Sequence, residues 1–127
     1  MKDQLISFET AKLAKEKGFD IIQRYGIESS LYKKTGEHTY YANYGVMYYG
    51  LSEGYISAPT QSLLQKWLRE KHNLNIEIAH VEDMDWYFIV HKIPCKYKDK
   101  SLAMSDGFET YEEALEFALN EALQLIK

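Results

Sequence analysis

Asn75-Ile76-Glu77-Ile78-Ala79-His80-Val81, then Glu82-Asp83-Met84-Asp85, then Trp86-Tyr87-Phe88-Ile89-Val90-His91 form two runs rich in β-branched and aromatic residues around an acidic turn. Such runs predict two antiparallel strands. A third strand is expected between Lys96 and Met104. Upstream, Ala58-Pro59-Thr60-Gln61 opens a helix with proline in its first turn, where a missing N–H costs nothing. Leu63, Leu64, Trp67 and Leu68 then share one face of that helix, and Asn73 ends it. Downstream, Thr110-Tyr111-Glu112-Glu113 has the spacing of a capping box, in which Thr110 and Glu113 each satisfy the other's backbone N–H. The helix it starts has an apolar half running from Tyr111 through Ala114, Leu115, Ala118 and Leu119 to Ile126; Phe117 points away from that stripe. The last 70 residues therefore read α-β-β-(β)-α.

Before residue 57 the pattern is less regular. Ser7 is a suitable N-cap for a helix over 8–17, and Gly18-Phe19 reads as its C-terminal glycine with an apolar contact. A short helical turn is expected over Asp20 to Arg24, ended by Gly26. A hairpin of irregular strands is expected around Leu31-Tyr32 and Thr39-Tyr40-Tyr41, with turn residues at Thr35-Gly36 and Asn43. The whole reads as one α+β domain over 1–127, an antiparallel sheet with helices packed on it. Residues 1–56 supply the first helix and the Tyr-rich hairpin, and 57–127 the helix-flanked strands.

Composition narrows the function classes. At 127 residues, 46% hydrophobic and 27% charged, the chain can bury a core and does not resemble a disordered sequence. Its formal charge of −4 gives no global attraction to phosphate. Cys95 is the sole cysteine, which excludes an intrachain disulfide framework and fits a reducing compartment. Neither a signal core nor a bilayer-spanning segment is legible, so the cytoplasm is the expected location.

Chemistry-bearing constellations are scarce. The four histidines are His38, His72, His80 and His91. If the turn spans 82–85, His80 faces position 87 or 88, leaving His91 roughly 10–13 Å away, too far to share a metal. Glu82-Asp83-Met84-Asp85 lacks the glycine and distant glutamate of an EF-hand loop. Gly45, Gly50 and Gly54 match no phosphate-binding pattern, and no hydrolase, redox or zinc-protease motif occurs. No cofactor, metal ligand or catalytic residue is assigned. The tyrosines stand out instead, since eight of eleven lie between Tyr25 and Tyr55. Tyrosine offers a large amphipathic contact with few torsions to freeze, which suits binding surfaces. The candidate surface is Tyr40, Tyr41, Tyr44, Tyr48, Tyr49 and Phe117. A basic run, Lys92, Lys96, Lys98 and Lys100, reads as a strand edge guarded against sheet-to-sheet pairing.

Three stretches resemble a family of small uncharacterised proteins from prophages and mobile elements of gut bacteria. They are Ser57-Ala58-Pro59-Thr60-Gln61-Ser62-Leu63-Leu64 with the helix that follows to His72, Thr110-Tyr111-Glu112-Glu113-Ala114-Leu115-Glu116, and Phe8-Glu9-Thr10-Ala11-Lys12-Leu13-Ala14. The resemblance implies relatives but carries no activity. The element order of 57–127 looks like that of double-stranded-RNA-binding domains. The place where those domains present basic residues holds Glu109, Glu112 and Glu113, and residues 57–127 contain 8 Lys+Arg against 12 Asp+Glu. Asp106-Gly107-Phe108-Glu109-Thr110-Tyr111-Glu112-Glu113-Ala114 is also similar to the strand-to-helix junction of HicB-type antitoxins, which act through protein contacts.

The expectation that results is a non-enzymatic phage or mobile-element interaction module, binding a protein partner or itself and not a membrane. The alternative is a nucleic-acid-binding domain using Lys66, Arg69, Lys92, Lys96 and Lys98, which the charge balance does not favour.

Overall fold

A computed structural model of the chain describes residues 4–42, 54–80, 85–94 and 101–127. The protein is α+β, with two antiparallel sheets, and the chain divides into two compact units, Met1–Leu63 and Leu64–Lys127.

The first unit begins with α1 (Phe8–Glu16), whose N-cap Ser7 accepts a hydrogen bond from the Thr10 N–H at 3.2 Å. Its far end closes as a Schellman motif, with Gly18 N–H donating to Lys15 O at 3.1 Å and Phe19 N–H to Ala14 O at 2.9 Å. Gly18 takes the left-handed conformation this requires, φ 96°, and Phe19 is buried. The expected helical turn over Asp20–Arg24 is absent. The chain enters β1 (Gln23–Tyr25) there, because pairing with β2 (Glu28–Tyr32) supplies partners that a single turn of helix would lack. The two strands meet across Gly26-Ile27, with Tyr25 opposite Glu28.

β2 pairs on its other side with β3 (His38–Ala42), forming the hairpin expected around Leu31 and Tyr40. Its turn is tied by Lys33 N–H to Glu37 O and Gly36 N–H to Lys33 O, both 2.9 Å. β4 (Ile56–Ser57) extends the β1 side of β2, with Ser57 opposite Leu31 and Ile56 opposite Tyr32. β2 is thus central, and Ser29, Ser30, Leu31 and Tyr32 are all buried. The core of this unit comprises Ile6, Ala11, Ala14, Phe19, Leu31, Tyr32, Ile56 and Ala58.

Pro59 precedes the second helix instead of lying in its first turn. Its carbonyl accepts from Ile6 N–H at 3.0 Å, and the helix starts only after Thr60, whose hydroxyl accepts from Leu63 N–H at 3.2 Å. That helix, α2 (Gln61–His72), stops at Asn73, which adopts φ 54°, a left-handed conformation that Asn tolerates well.

In the second unit the buried residues of α2 are Leu64, Trp67 and Leu68, and the Gln65 amide donates to Ile76 O at 3.2 Å. β5 (Leu74–His80) pairs with β6 (Trp86–Lys92), which pairs with β7 (Ala103–Phe108). The connection is longer by one residue than the sequence suggested, so His80 faces Trp86 and His91 faces Asn75. The third strand also lies later than expected, starting at Ala103. A shift in register leaves Gly107 unpaired between Asp106, opposite Tyr87, and Phe108, opposite Trp86.

α3 (Tyr111–Gln124) covers one face of this sheet with Ala114, Leu115, Ala118, Leu119, Ala122 and Leu123, all buried. Thr110 caps it by accepting from Glu113 N–H at 3.1 Å. The return bond differs from the expected box. The Glu113 carboxylate accepts from the N–H of Glu109, one residue earlier, at 3.3 Å. No helix among the described residues is long and apolar enough to cross a membrane.

Candidate functional site

Alternation along β3 splits the tyrosines that the sequence had grouped. His38 and Tyr40 share one face of the strand and Tyr41 the other, since successive strand residues point to opposite sides. Tyr41 packs its ring against Tyr55, with centroids 5.4 Å apart. Tyr40 instead meets the His38 ring edge-on at 4.8 Å and the Tyr25 ring edge-on at 5.9 Å. The chain of rings continues inward from His38 to Tyr32 and from Tyr32 to Phe8. Tyr44, Tyr48 and Tyr49 lie outside the described residues.

The inner end of this row is anchored by polar bonds. Buried Ser30 donates its hydroxyl proton to Ala58 O at 2.8 Å, and the Tyr32 hydroxyl donates to Ile6 O. Ser30 Oγ also lies 2.7 Å from His38 Nε2. A serine hydroxyl has one proton, already committed to Ala58, so Nε2 carries the hydrogen in this contact and Ser30 accepts it. Partial burial holds the His38 pKa below its ordinary value. A histidine activating a serine would have to accept the serine's proton, the opposite polarity, and Ser30 is fully buried. This pair therefore fixes the strand in place and does not present a nucleophile.

The outer end of the row is open. Tyr25 is 41% exposed, Tyr40 49%, and Ile27, in the turn directly after Tyr25, 82%. Gly26 taken as a helix stop leaves Tyr25 and Ile27 outside the surface expected from the sequence. A two-residue loop beginning with glycine between Tyr25 and Glu28 is also a hairpin signal, and it would have found both.

Phe117 belongs to the second unit. It is 48% exposed, and its ring lies 5.4 Å from Phe108 and 6.0 Å from Phe88. Of the alternative cations, Arg69 lies half-buried in the last turn of α2. Lys66 pairs with Glu70 at 3.9 Å, Lys92 ends β6, and Lys96 and Lys98 lie outside the described residues, as does Cys95. A groove of about 390 Å³ in the second unit is lined by Leu74, Leu102, Leu125 and Ile126 together with His72, Lys92 and Lys127. His72 is the last residue of α2, and its ring meets that of Trp67 edge-on at 4.7 Å. Among the described residues no group of three or more His, Cys, Asp or Glu is placed to hold a metal ion.

These features define an α+β protein with two antiparallel sheets and an exposed aromatic corner on the first. The chain matches no family model, no curated protein and no solved structure.

Proposed function

We propose that the protein is a non-enzymatic interaction module that binds a protein partner through Tyr25, Ile27 and Tyr40. The observation that carries this reading is the exposure of Ile27 in the turn after Tyr25, whose half-exposed ring packs edge-to-face on that of Tyr40. Tyrosines held against each other lose little further freedom on binding, so their contact area converts to affinity at low entropic cost. A nearby aliphatic side chain that gains nothing from the fold supports the same role. The resemblance to prophage and mobile-element proteins directs the search to the proteome of a bacterium carrying such an element.

The test is capture with the immobilised wild-type chain and with a Tyr25→Ala, Ile27→Ala, Tyr40→Ala variant. Truncation of exposed residues should change stability by less than about 0.5 kcal/mol, whereas loss of a hot spot should weaken a specific partner by more than about tenfold. Partners retained equally by both chains would remove this surface from the account. Sedimentation of the two chains shows whether the partner is a second copy.

A further inference from the structure

The second unit carries a separate surface that the reading above does not use. β7 is an outer strand of its sheet, and among the described residues no strand lies on its far side. Lysine and proline are among the devices that protect outer strands from further pairing. Ala103–Phe108 contains neither. The lysines expected to guard this edge, Lys96, Lys98 and Lys100, precede the strand and lie outside the described residues.

Both flanks of the edge are apolar. On the helix side, Phe117 packs against Phe108 and leaves 48% of its surface open. On the opposite face, Met104 is 65% exposed. The bulge at Gly107 ends the regular stretch, so residues 103–106 remain as a template for a short added strand.

Charge selects the occupant. Residues 101–127 hold six acidic residues against Lys127 alone. Asp106 shares the Met104 face of β7, Glu109 follows the strand, and Glu113 and Glu121 flank Phe117 one helical turn away on either side. None of these four carboxylates is in an ion pair among the described residues. A second copy would lay its own Asp106 along this edge, and its Ala103–Phe108 strand carries no cation to answer it, so self-pairing is disfavoured.

We infer that β7 accepts an extended basic segment of a partner protein as a fourth strand. Its apolar side chains face Phe108 and Phe117, and the alternate lysines or arginines face Asp106 and cover Met104 with their stems. Main-chain hydrogen bonds supply the pairing, and the alternation supplies the specificity.

The probe is a labelled, end-capped heptapeptide alternating valine and lysine, titrated into the full chain and followed by fluorescence anisotropy. Two further peptides replace lysine by glutamate or methylate alternate backbone nitrogens. The valine–lysine peptide should bind, more weakly as salt rises. Both altered peptides should bind at least about tenfold more weakly, as should the valine–lysine peptide to Phe117→Ala, while Tyr40→Ala leaves its affinity unchanged. Equal binding of the backbone-methylated peptide would reduce the effect to charge attraction without strand addition and overturn the inference. Absence of binding would also overturn it, as would a wild-type dimer that Phe117→Ala dissolves. The methylated peptide is tested on the unaltered protein, so the result does not depend on whether Phe117→Ala folds.

Discussion

The imidazole of His38 sits between the rings of Tyr32 and Tyr40, against a hydroxyl with no second proton to give, and that placement makes the first unit sensitive to acid. Desolvation lowers its pKa from the ordinary 6.5. The unfolded chain therefore takes up the proton at a higher pH than the folded one. This contribution to stability is complete above about pH 6.5 and is lost as pH falls through the lowered folded value. His38→Gln should flatten that part of the curve, so unfolding midpoints of the two proteins measured from neutral to mildly acidic pH should converge as pH falls. Parallel curves would show that His38 titrates as it does in the unfolded chain. A second residue-level contrast concerns Gly18 and Gly36, both at positive φ, 96° and 91°. A Cβ on Gly18 would meet nothing within 4 Å, whereas one on Gly36 would lie 3.0 Å from Phe8 Cδ2. Gly18→Ala should cost about 1 kcal/mol, the left-handed penalty alone, and Gly36→Ala more, because the Phe8 ring must also shift. Denaturant unfolding orders the two, and an equal cost would mean that the ring yields freely.

Among the elements, α3 depends most visibly on its first turn. Thr110 supplies the acceptor for Glu113 N–H, and Glu113 in turn receives Glu109 N–H, so Thr110→Ala should destabilise the chain by about 1 kcal/mol. An unchanged midpoint would indicate that solvent satisfies this exposed end equally well. Caps of this kind explain which elements were legible in the sequence. Ser7, Gly18, Asn73 and Thr110 act on atoms within a few residues of themselves, and the three helices begin and end close to where these residues place them. Elements fixed by distant partners were not legible. Gln23 and Arg24 suit a helical turn, and only the pairing of Gln23 with Ser30 makes the chain a strand there. Asp106-Gly107 reads as a turn until Tyr87 and Trp86 are seen to pair on either side of the extra residue. The surface follows the same division. Tyr40 could be picked from composition, but its partner Tyr25 and the aromatic setting of Phe117 are consequences of register and packing across many residues.

For the whole molecule the governing quantity is how charge is distributed over the fold. Residues 57–127 hold 12 acidic against 8 basic residues and account for the entire net charge of −4. Their order of helix, three strands and helix is one in which duplex RNA can be gripped through phosphates at the start of the last helix. In this protein the first turn of α3 presents Glu112 and Glu113, both exposed, and the Thr110 hydroxyl is occupied by Glu113 N–H. Duplex binding gains its free energy chiefly from counterions released as lysine and arginine neutralise phosphates, so carboxylates at a required contact remove that gain and add repulsion. The chain should therefore show no sub-micromolar affinity for double-stranded RNA at about 150 mM salt, measured by electrophoretic shift or anisotropy with a duplex longer than one binding site. A sub-micromolar constant would mean that a basic surface elsewhere dominates. Glu112→Lys combined with Glu113→Lys separates charge from shape. If that variant gains salt-dependent retention on the duplex while the parent has none, the carboxylates are the obstacle. If it does not, the geometry of this unit is itself incompatible with an RNA groove.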